Sequence, residues 1–394
     1  MKVLVISHMY PSTFNSMSGI FIHQQVKALI EQGCEVKVVS PVPWAAFPIN
    51  RINHKWRAYS EIPYKVNMDS IEIYYPRYVE FPKGYLFHKS GVFMGLGIKK
   101  TIEDIYRNFK FEIIHSNVAL PDGYGAMLVN EKYNVPHVVT IHGQDFQNTL
   151  NKNEKCRKAL FKVLDRVDKI ITVSSKLQRL VKDESFYSKI EVVNNGIDKT
   201  YLHNQCKDKK EKKHTIKILS VSNLIKTKGV DINIKAIAKL IAKYPDIEYE
   251  IIGEGPEKPR LVSLVNNLGL KGNVKFLGKL EHDIVMRHMA SCDIFSLPSY
   301  SEGFGVVYIE AMSQGKTVIG VKGEGIEDAI IHGYNGFLVQ REDVGDLTKT
   351  LDFLISNEKK RIEIGEIGKK TVEENFTWDI NAKKVISIYD SLIK

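Results

Sequence analysis

Short runs of apolar, β-branched residues alternate along the chain with stretches whose apolar positions repeat every three to four residues. VLVIS (3–7) opens the pattern, and GIFIHQQVKALIEQG (19–33) follows, with Phe21, Ile22, Val26, Leu29 and Ile30 on one helical face and Gly33 as a stop. EVKVVSP (35–41), FEIIHS (111–116), HVVTIHG (137–143), KIITVSS (169–175) and IEVVNNG (190–196) are the next strands. This alternation predicts a parallel sheet covered by helices. Residues 42–90, rich in proline and aromatics, fit no period and read as an insertion near the ligand face. At 199–214 the pattern fails: KTYLHNQCKDKKEKKH is polar, aperiodic and linker-like. It restarts at TIKILSVSNL (215–224) and runs through EYEIIGEG (248–255), NVKFLG (273–278), CDIFSLPS (292–299), KTVIGVKG (316–323) and GFLVQ (336–340). WDINAKKVISIYDSLIK (378–394) has the period of an amphipathic helix. The predicted architecture is α/β. One Rossmann-like domain spans 1–198, a linker 199–214 and a second Rossmann-like domain 215–376, with a terminal helix over 377–394 packing back toward the first domain. Two such domains facing each other enclose a cleft, and ligands of open α/β sheets bind beyond the carboxyl ends of the strands.

Composition narrows the class. With 43% hydrophobic and 26% charged residues the chain is neither disordered nor fibrous. Cys34, Cys156, Cys206 and Cys292 form no CxxC pair, which excludes a zinc knuckle or redox motif and suits a reducing cytosol. MKVLVIS is too short for a signal-peptide core, and no apolar run approaches the length of a membrane span. The net charge of +10 is uneven: residues 1–199 hold 27 basic against 19 acidic side chains, and the remainder 29 against 27. The positive field of the first half favours an anionic partner, or is simply a solvated lysine-rich surface.

The candidate chemistry lies just past strand ends. After DIFSLPS come Glu302, then Gly303-Phe304-Gly305, then a helical run containing Glu310. Glycines admit close backbone approach, and the helix start behind them offers unpaired N–H groups and positive dipole character, which suit phosphate. A carboxylate only accepts hydrogen bonds, so ribose hydroxyls suit one of these glutamates. A glycine turn with a capping acid is the plainer reading of the same residues. Lys226, Lys228 and Gly229 follow KILSVSNL, as diphosphate-binding lysines or as solvent-facing ones. Gly253 opens GEGP, half of a dinucleotide fingerprint with Lys258 in the third glycine's place, so that fingerprint is not supported. Gly315-Lys316-Thr317 imitates the end of a P-loop, but Glu310 stands where its first glycine belongs and a helix precedes it, which excludes one. In the first half, His142, Gly143 and Asp145 follow a strand; the imidazole there would donate to a sugar hydroxyl or a developing negative charge, or hold structure. The loop PSTFNSMSG (11–19) ends in Gly19 and opens a helix, as a phosphate cradle, an acceptor wall or a plain loop. No Asp-x-Asp triplet and no metal-spaced cluster of His, Cys and acids occurs, so no metal is expected.

Together these segments resemble the family-four glycosyltransferases of the GT-B fold. The likeness covers nearly the whole chain. Its most specific element is the E-x7-E pair Glu302/Glu310 within PSYSEGFGVVYIEAM, and around it, in family order, stand HGQD (142–145), VNNGID (193–198), NLIKTKGVD (223–231), IIGEGP (251–256), VKFLG (274–278) and IHGYNGFLV (331–339). The resemblance implies a nucleotide-sugar donor, a UDP-sugar first among candidates, held mainly by the second domain. Glu310 would bind ribose hydroxyls, Glu302 would lie near the donor sugar, and Gly303, Phe304 and Gly305 would present backbone N–H groups. Lys228 would bind phosphate, and His142 would touch the donor sugar at the reacting centre. Gly253 would belong to the donor site, and Gly19 and Asp145 to the acceptor side. Two segments depart from the family pattern. Ser222-Asn223-Leu224 replaces G-R-L, losing an arginine that Lys226 would have to replace and leaving Asn223 at the donor. Gly323-Glu324-Gly325-Ile326-Glu327 replaces G-G-V-P-E, bringing Glu324 toward the donor sugar.

The implied activity is hexosyl or N-acetylhexosaminyl transfer to a glycan or polyprenyl-pyrophosphate-linked acceptor in envelope or capsular polysaccharide synthesis. It would proceed with retention, without metal or other cofactor, the departing phosphate taking the proton. A basic acceptor domain suits an anionic bilayer at ~1 kcal/mol per well-placed basic residue, which implies a cytoplasmic protein peripheral to the inner membrane face. GYLFHKSGVFMGLGIKKTI (84–102) is either a lipid-touching segment or a buried helix. A nucleotide-sugar epimerase and a catalytically silent partner subunit are the rival readings. No aromatic-plus-basic motif points to nucleic acid.

Overall fold

The computed structural model describes residues 1–45, 47–51, 54–203 and 215–393. The chain forms two compact units, Met1–Asn195 with Trp378–Lys394, and Gly196–Thr377. Most of the stretch read as a linker, residues 204–214, lies outside the described residues; Thr200–His203 just before it is a short helix of the second unit.

The first unit has strands β1 (Lys2–Ile6), β2 (Glu35–Val39), β3 (Val42–Pro43), β4 (Lys65–Met68), β5 (Ile71–Tyr74), β6 (Arg77–Tyr78), β7 (Ile113–Asn117), β8 (His137–Ile141), β9 (Lys169–Thr172) and β10 (Ile190–Val192). Eight of them form one sheet in the order β10-β9-β8-β7-β1-β2-β5-β4, parallel except for the β4/β5 hairpin. Side chains alternate across a strand, so β1 feeds two cores. Val3 and Val5 pack with Val26 and Leu29 of helix Ile20–Glu31 and with Val385 and Tyr389 of helix Trp378–Asp390. Leu4 and Ile6 pack on the other face with Met94, Ile98 and Ile102 of helix Ser90–Asn108. That last helix comes from the segment read as lipid-touching or buried; its apolar stripe is buried in the unit's own core, with Leu96 left outside. The aperiodic 42–90 stretch holds the two-stranded β3/β6 sheet, helix His54–Glu61 and the β4–β5 hairpin.

The second unit has strands β11 (Lys217–Val221), β12 (Glu248–Ile252), β13 (Val274–Gly278), β14 (Ile294–Ser296), β15 (Thr317–Val321) and β16 (Phe337–Val339). They run parallel in the order β13-β12-β11-β14-β15-β16, the doubly wound 3-2-1-4-5-6 arrangement. The strand order reverses between β11 and β14, so the loops leaving those two strands diverge and open a crevice there.

Candidate active site

The second unit's crevice is built from the Ser222–Gly229 loop after β11 and the Leu297–Gly305 loop after β14. The Tyr300 N–H donates to the Thr227 carbonyl at 2.9 Å, and the Ser299 hydroxyl donates to the same oxygen at 3.2 Å. Gly229, at φ +65°, lies so near that a Cβ would sit 2.2 Å from the Pro298 carbonyl oxygen. This contact brings Lys228 to Glu302: Nζ donates to Oε1 at 2.6 Å, with the two side chains 18% and 12% exposed. Glu324, buried, accepts the Glu302 N–H on Oε2 at 2.8 Å. One ammonium and two carboxylates therefore converge.

Behind Glu302, Phe304 buries its ring against Phe376, with centroids 5.8 Å apart, so only its backbone faces the loop. Gly303 backs onto Gly325, where a Cβ would come 2.1 Å from the Gly303 carbonyl oxygen. Gly305 caps helix Val306–Ser313 at φ +96°. The helix start is thus anchored with the N–H groups of its first turn at the crevice. Inside that helix, Glu310 Oε1 accepts from His282 Nε2 at 2.9 Å, and His282 Nδ1 meets the Tyr201 hydroxyl at 3.1 Å. The hydrogen bond and charge of Glu310 outweigh burial and raise the His282 pKa above its ordinary value. His282 and Tyr201 escaped the sequence reading: neither lies in a motif, and His282 meets Glu310 from 28 residues away while Tyr201 meets His282 from 81.

Asn223 is exposed. Gly253 underpins its loop: at φ +134° a Cβ would lie 1.8 Å from the Ser222 carbonyl oxygen, and the Leu224 N–H donates to the Glu254 carbonyl at 2.9 Å. Ser222 Oγ is buried without a hydrogen-bond partner. Lys226 is exposed on the same loop. Among the described residues no group of three or more His, Cys, Asp or Glu could hold a metal ion.

In the first unit His142 packs its ring on Phe21 and donates from Nε2 to Asn117 Oδ1 at 2.9 Å. Burial, then the neighbouring His115, lowers its pKa to about 3, so the ring is neutral. With Nε2 so used, His142 carries a buried, unpaired acceptor at Nδ1. Asp145 is buried and accepts the Ala119 and Leu120 N–H groups at 3.2 and 3.3 Å, so it faces its own chain and holds the loop after β7. Burial raises its pKa to about 7 against the pull of those bonds. Gly19 caps helix Ile20–Glu31 at φ +61°, where a Cβ would come 2.1 Å from the Met9 carbonyl oxygen.

Comparison with known proteins identifies the family. The profile of "Glycosyltransferase Family 4" matches residues 18–201, and that of "Glycosyl transferases group 1" matches residues 204–371. The uncharacterized glycosyltransferase MJ1178 of Methanocaldococcus jannaschii is 32% identical over 297 residues, covering 74% of this chain and 79% of its own. TuaC of Bacillus subtilis, named for teichuronic acid biosynthesis, is 24% identical across 100% of this chain and 99% of its own. Anabaena HepE, solved with UDP and glucose, shares the fold at a TM-score of 0.74 and 18% identity, each chain covered in full (100%). The chain belongs to the family-four glycosyltransferases, enzymes of GT-B fold that draw on a nucleotide-sugar donor.

Proposed function

We propose that this enzyme moves a hexosyl or N-acetylhexosaminyl group from a UDP-sugar to a hydroxyl of a glycan or polyprenyl-pyrophosphate-linked acceptor, with retention and without metal, in envelope polysaccharide synthesis. The observation that carries the reading is the meeting of Lys228, Glu302, Glu324 and the Gly305 helix start at the strand-order reversal of the second unit, with Glu310 one helical stretch behind.

In this reading Lys228 and the helix start take the charge that grows on the departing diphosphate, a stabilisation that accelerates because it strengthens at the transition state. Glu310, fixed by His282, accepts the ribose hydroxyls. Glu302 and Glu324 accept from the donor sugar, and His142 Nδ1 accepts from a sugar hydroxyl. Attachment to an anionic membrane face rests on the basic first half and on Trp44, Phe47, Tyr85 and Leu96, each more than half exposed. Among the described residues no helix is long and apolar enough to cross a membrane.

The test is turnover: UDP-, GDP-, ADP- and dTDP-sugars in EDTA with a panel of glycoside and polyprenyl-linked acceptors, followed by NMR of the new anomeric proton. Transfer from a UDP-sugar with the donor's anomeric configuration is expected. Release of a free epimerised sugar would identify an epimerase, and absence of any turnover a silent subunit.

A further inference from the structure

The second unit's crevice gathers more negative than positive charge, and Glu324 is the residue that tips the balance. Its loop holds it in place. The Glu324 carbonyl accepts the Glu327 N–H at 3.0 Å, and its backbone opens the 3₁₀ turn Gly325–Asp328. Gly325 lies so close to the Gly303 backbone that no side chain fits between the two loops. Glu327 turns back on its own chain and accepts the Gly323 N–H on Oε2 at 3.1 Å. Glu324 instead reaches across to the Glu302 loop. It is 7% exposed, and its Oε2 lies 2.8 Å from the Glu302 nitrogen.

Against these two carboxylates stands the one ammonium of Lys228, already paired with Glu302. Lys226 and Lys322, on the same two loops, are exposed, where water and salt screen them. The buried Tyr308 ring behind the loop registers both acids: burial first, then the charges of Glu302 and Glu324, push its phenol well above its usual range. When a nucleotide sugar binds, Lys228 serves the diphosphate, and both carboxylates are left to the sugar. A carboxylate only accepts hydrogen bonds, so the sugar group that meets this pair has to donate. Hydroxyls and an N-acetyl N–H donate. An ionised sugar carboxylate does not, and it would bring a third negative charge beside two that are largely withdrawn from water, a juxtaposition that is strongly unfavourable.

We propose that Glu324 is a specificity-determining residue that confines the donor to neutral hexoses and N-acetylhexosamines and excludes uronates. The assignment rests on the donor-site reading above and adds to it the class of sugar that the site refuses. The selection works by repulsion of the wrong sugar and needs no contact fitted to the right one. Glu324→Gln isolates the charge. The amide keeps an oxygen that can accept the Glu302 N–H, so the loop contact survives while the negative charge is lost.

The experiment is isothermal titration of wild type and Glu324→Gln with UDP and with donors matched except at C6: UDP-glucose against UDP-glucuronate, and UDP-galactose against UDP-galacturonate. UDP-xylose, which lacks C6, is the neutral control. Wild type is expected to bind each uronate at least about tenfold more weakly than its neutral partner. Glu324→Gln is expected to narrow that ratio by at least about fivefold, since one of the two repelling charges is gone. Its affinity for UDP and its ratio of UDP-glucose to UDP-xylose are expected to stay as in wild type. The wild-type ratio alone carries the test if Glu324→Gln fails to fold. Equal binding of uronate and neutral partner by wild type, or an unchanged ratio in Glu324→Gln, would overturn the assignment while leaving the donor site intact. So would a gain for UDP-xylose in Glu324→Gln equal to that for the uronates. Failure of wild type to bind UDP or any UDP-sugar would overturn the UDP-sugar reading and this assignment together.

Discussion

Glu310 offers the sharpest perturbation of the donor site. Its Oε1 is held by His282 at 2.9 Å, and His282 is held in turn by Tyr201, so the carboxylate is oriented before nucleotide arrives. Each hydrogen bond to a charged group contributes about 1.5–3 kcal/mol net. Two ribose hydroxyls on one carboxylate, less the water they replace, place the effect of Glu310→Ala at about 2–4 kcal/mol. At 1.4 kcal/mol per tenfold that is a loss of roughly 30- to 1,000-fold in UDP affinity. Glu310→Gln keeps the shape but loses the charge, and is expected to lose about tenfold. His282→Ala leaves the carboxylate in place but unfixed, so a smaller loss, about three- to tenfold, is expected. Isothermal titration with UDP at pH 7.5 in EDTA measures all three, and a uridine titration isolates the ribose contribution. Glu310→Ala binding UDP within threefold of wild type would refute the ribose assignment. A His282→Ala loss equal to that of Glu310→Ala would move the main contact to the imidazole.

Other consequences follow from the same geometry. Lys228 and Glu302 touch directly, so Lys228→Ala and Glu302→Gln should be non-additive in UDP affinity by more than about 0.5 kcal/mol in a double-mutant cycle; additivity would separate their roles. Gly305→Ala forces a side chain to φ +96° and puts its Cβ 2.7 Å from the buried Tyr308 ring, at roughly 1–2 kcal/mol for the backbone and 1–3 for overpacking. Gly269→Ala, at φ +70° with nothing within 4 Å, should show only the backbone part in urea unfolding. His115, His137 and His142 have folded pKa values of about 4, 3 and 3, below the unfolded 6.5, so the stability they contribute is full above pH 6.5 and lost as pH falls toward those values. Asp145, raised to about 7, runs the other way, its contribution present at low pH and lost as pH rises toward 7. Asp145→Asn removes one contribution that grows as pH falls, so between pH 7 and pH 4.5 the variant's unfolding free energy should drop further relative to wild type.

The strands of both sheets were legible because central parallel strands are buried on both faces and read as unbroken apolar runs: Val3 to Ile6 are at most 1% exposed. The rule that ligands gather beyond strand ends then placed Lys228 and Glu302 in one crevice although 74 residues separate them. The 42–90 stretch was illegible because its elements are short and its hairpin turn, Asp69-Ser70, takes positive φ at both residues without a glycine to signal it. Contacts that join distant loops through ordinary residues left no trace either. His282 with Glu310 and His8 with Asp122 become pairs only when strand order is known, and the inward turn of Asp145 depends on backbone N–H groups 25 and 26 residues earlier.

The central claim, a nucleotide-sugar site on the second unit, is tested most directly by thermal unfolding of wild type, Glu310→Ala and Lys228→Ala with UDP-, GDP-, ADP- and dTDP-sugars in EDTA. A ligand at 100 times its Kd adds about 2.7 kcal/mol, which for a chain of this size raises Tm by at least about 2 °C. A rise in wild type with UDP-sugars, lost in both variants, is the expected result. A rise that survives both substitutions, or none with any nucleotide sugar, would contradict the account.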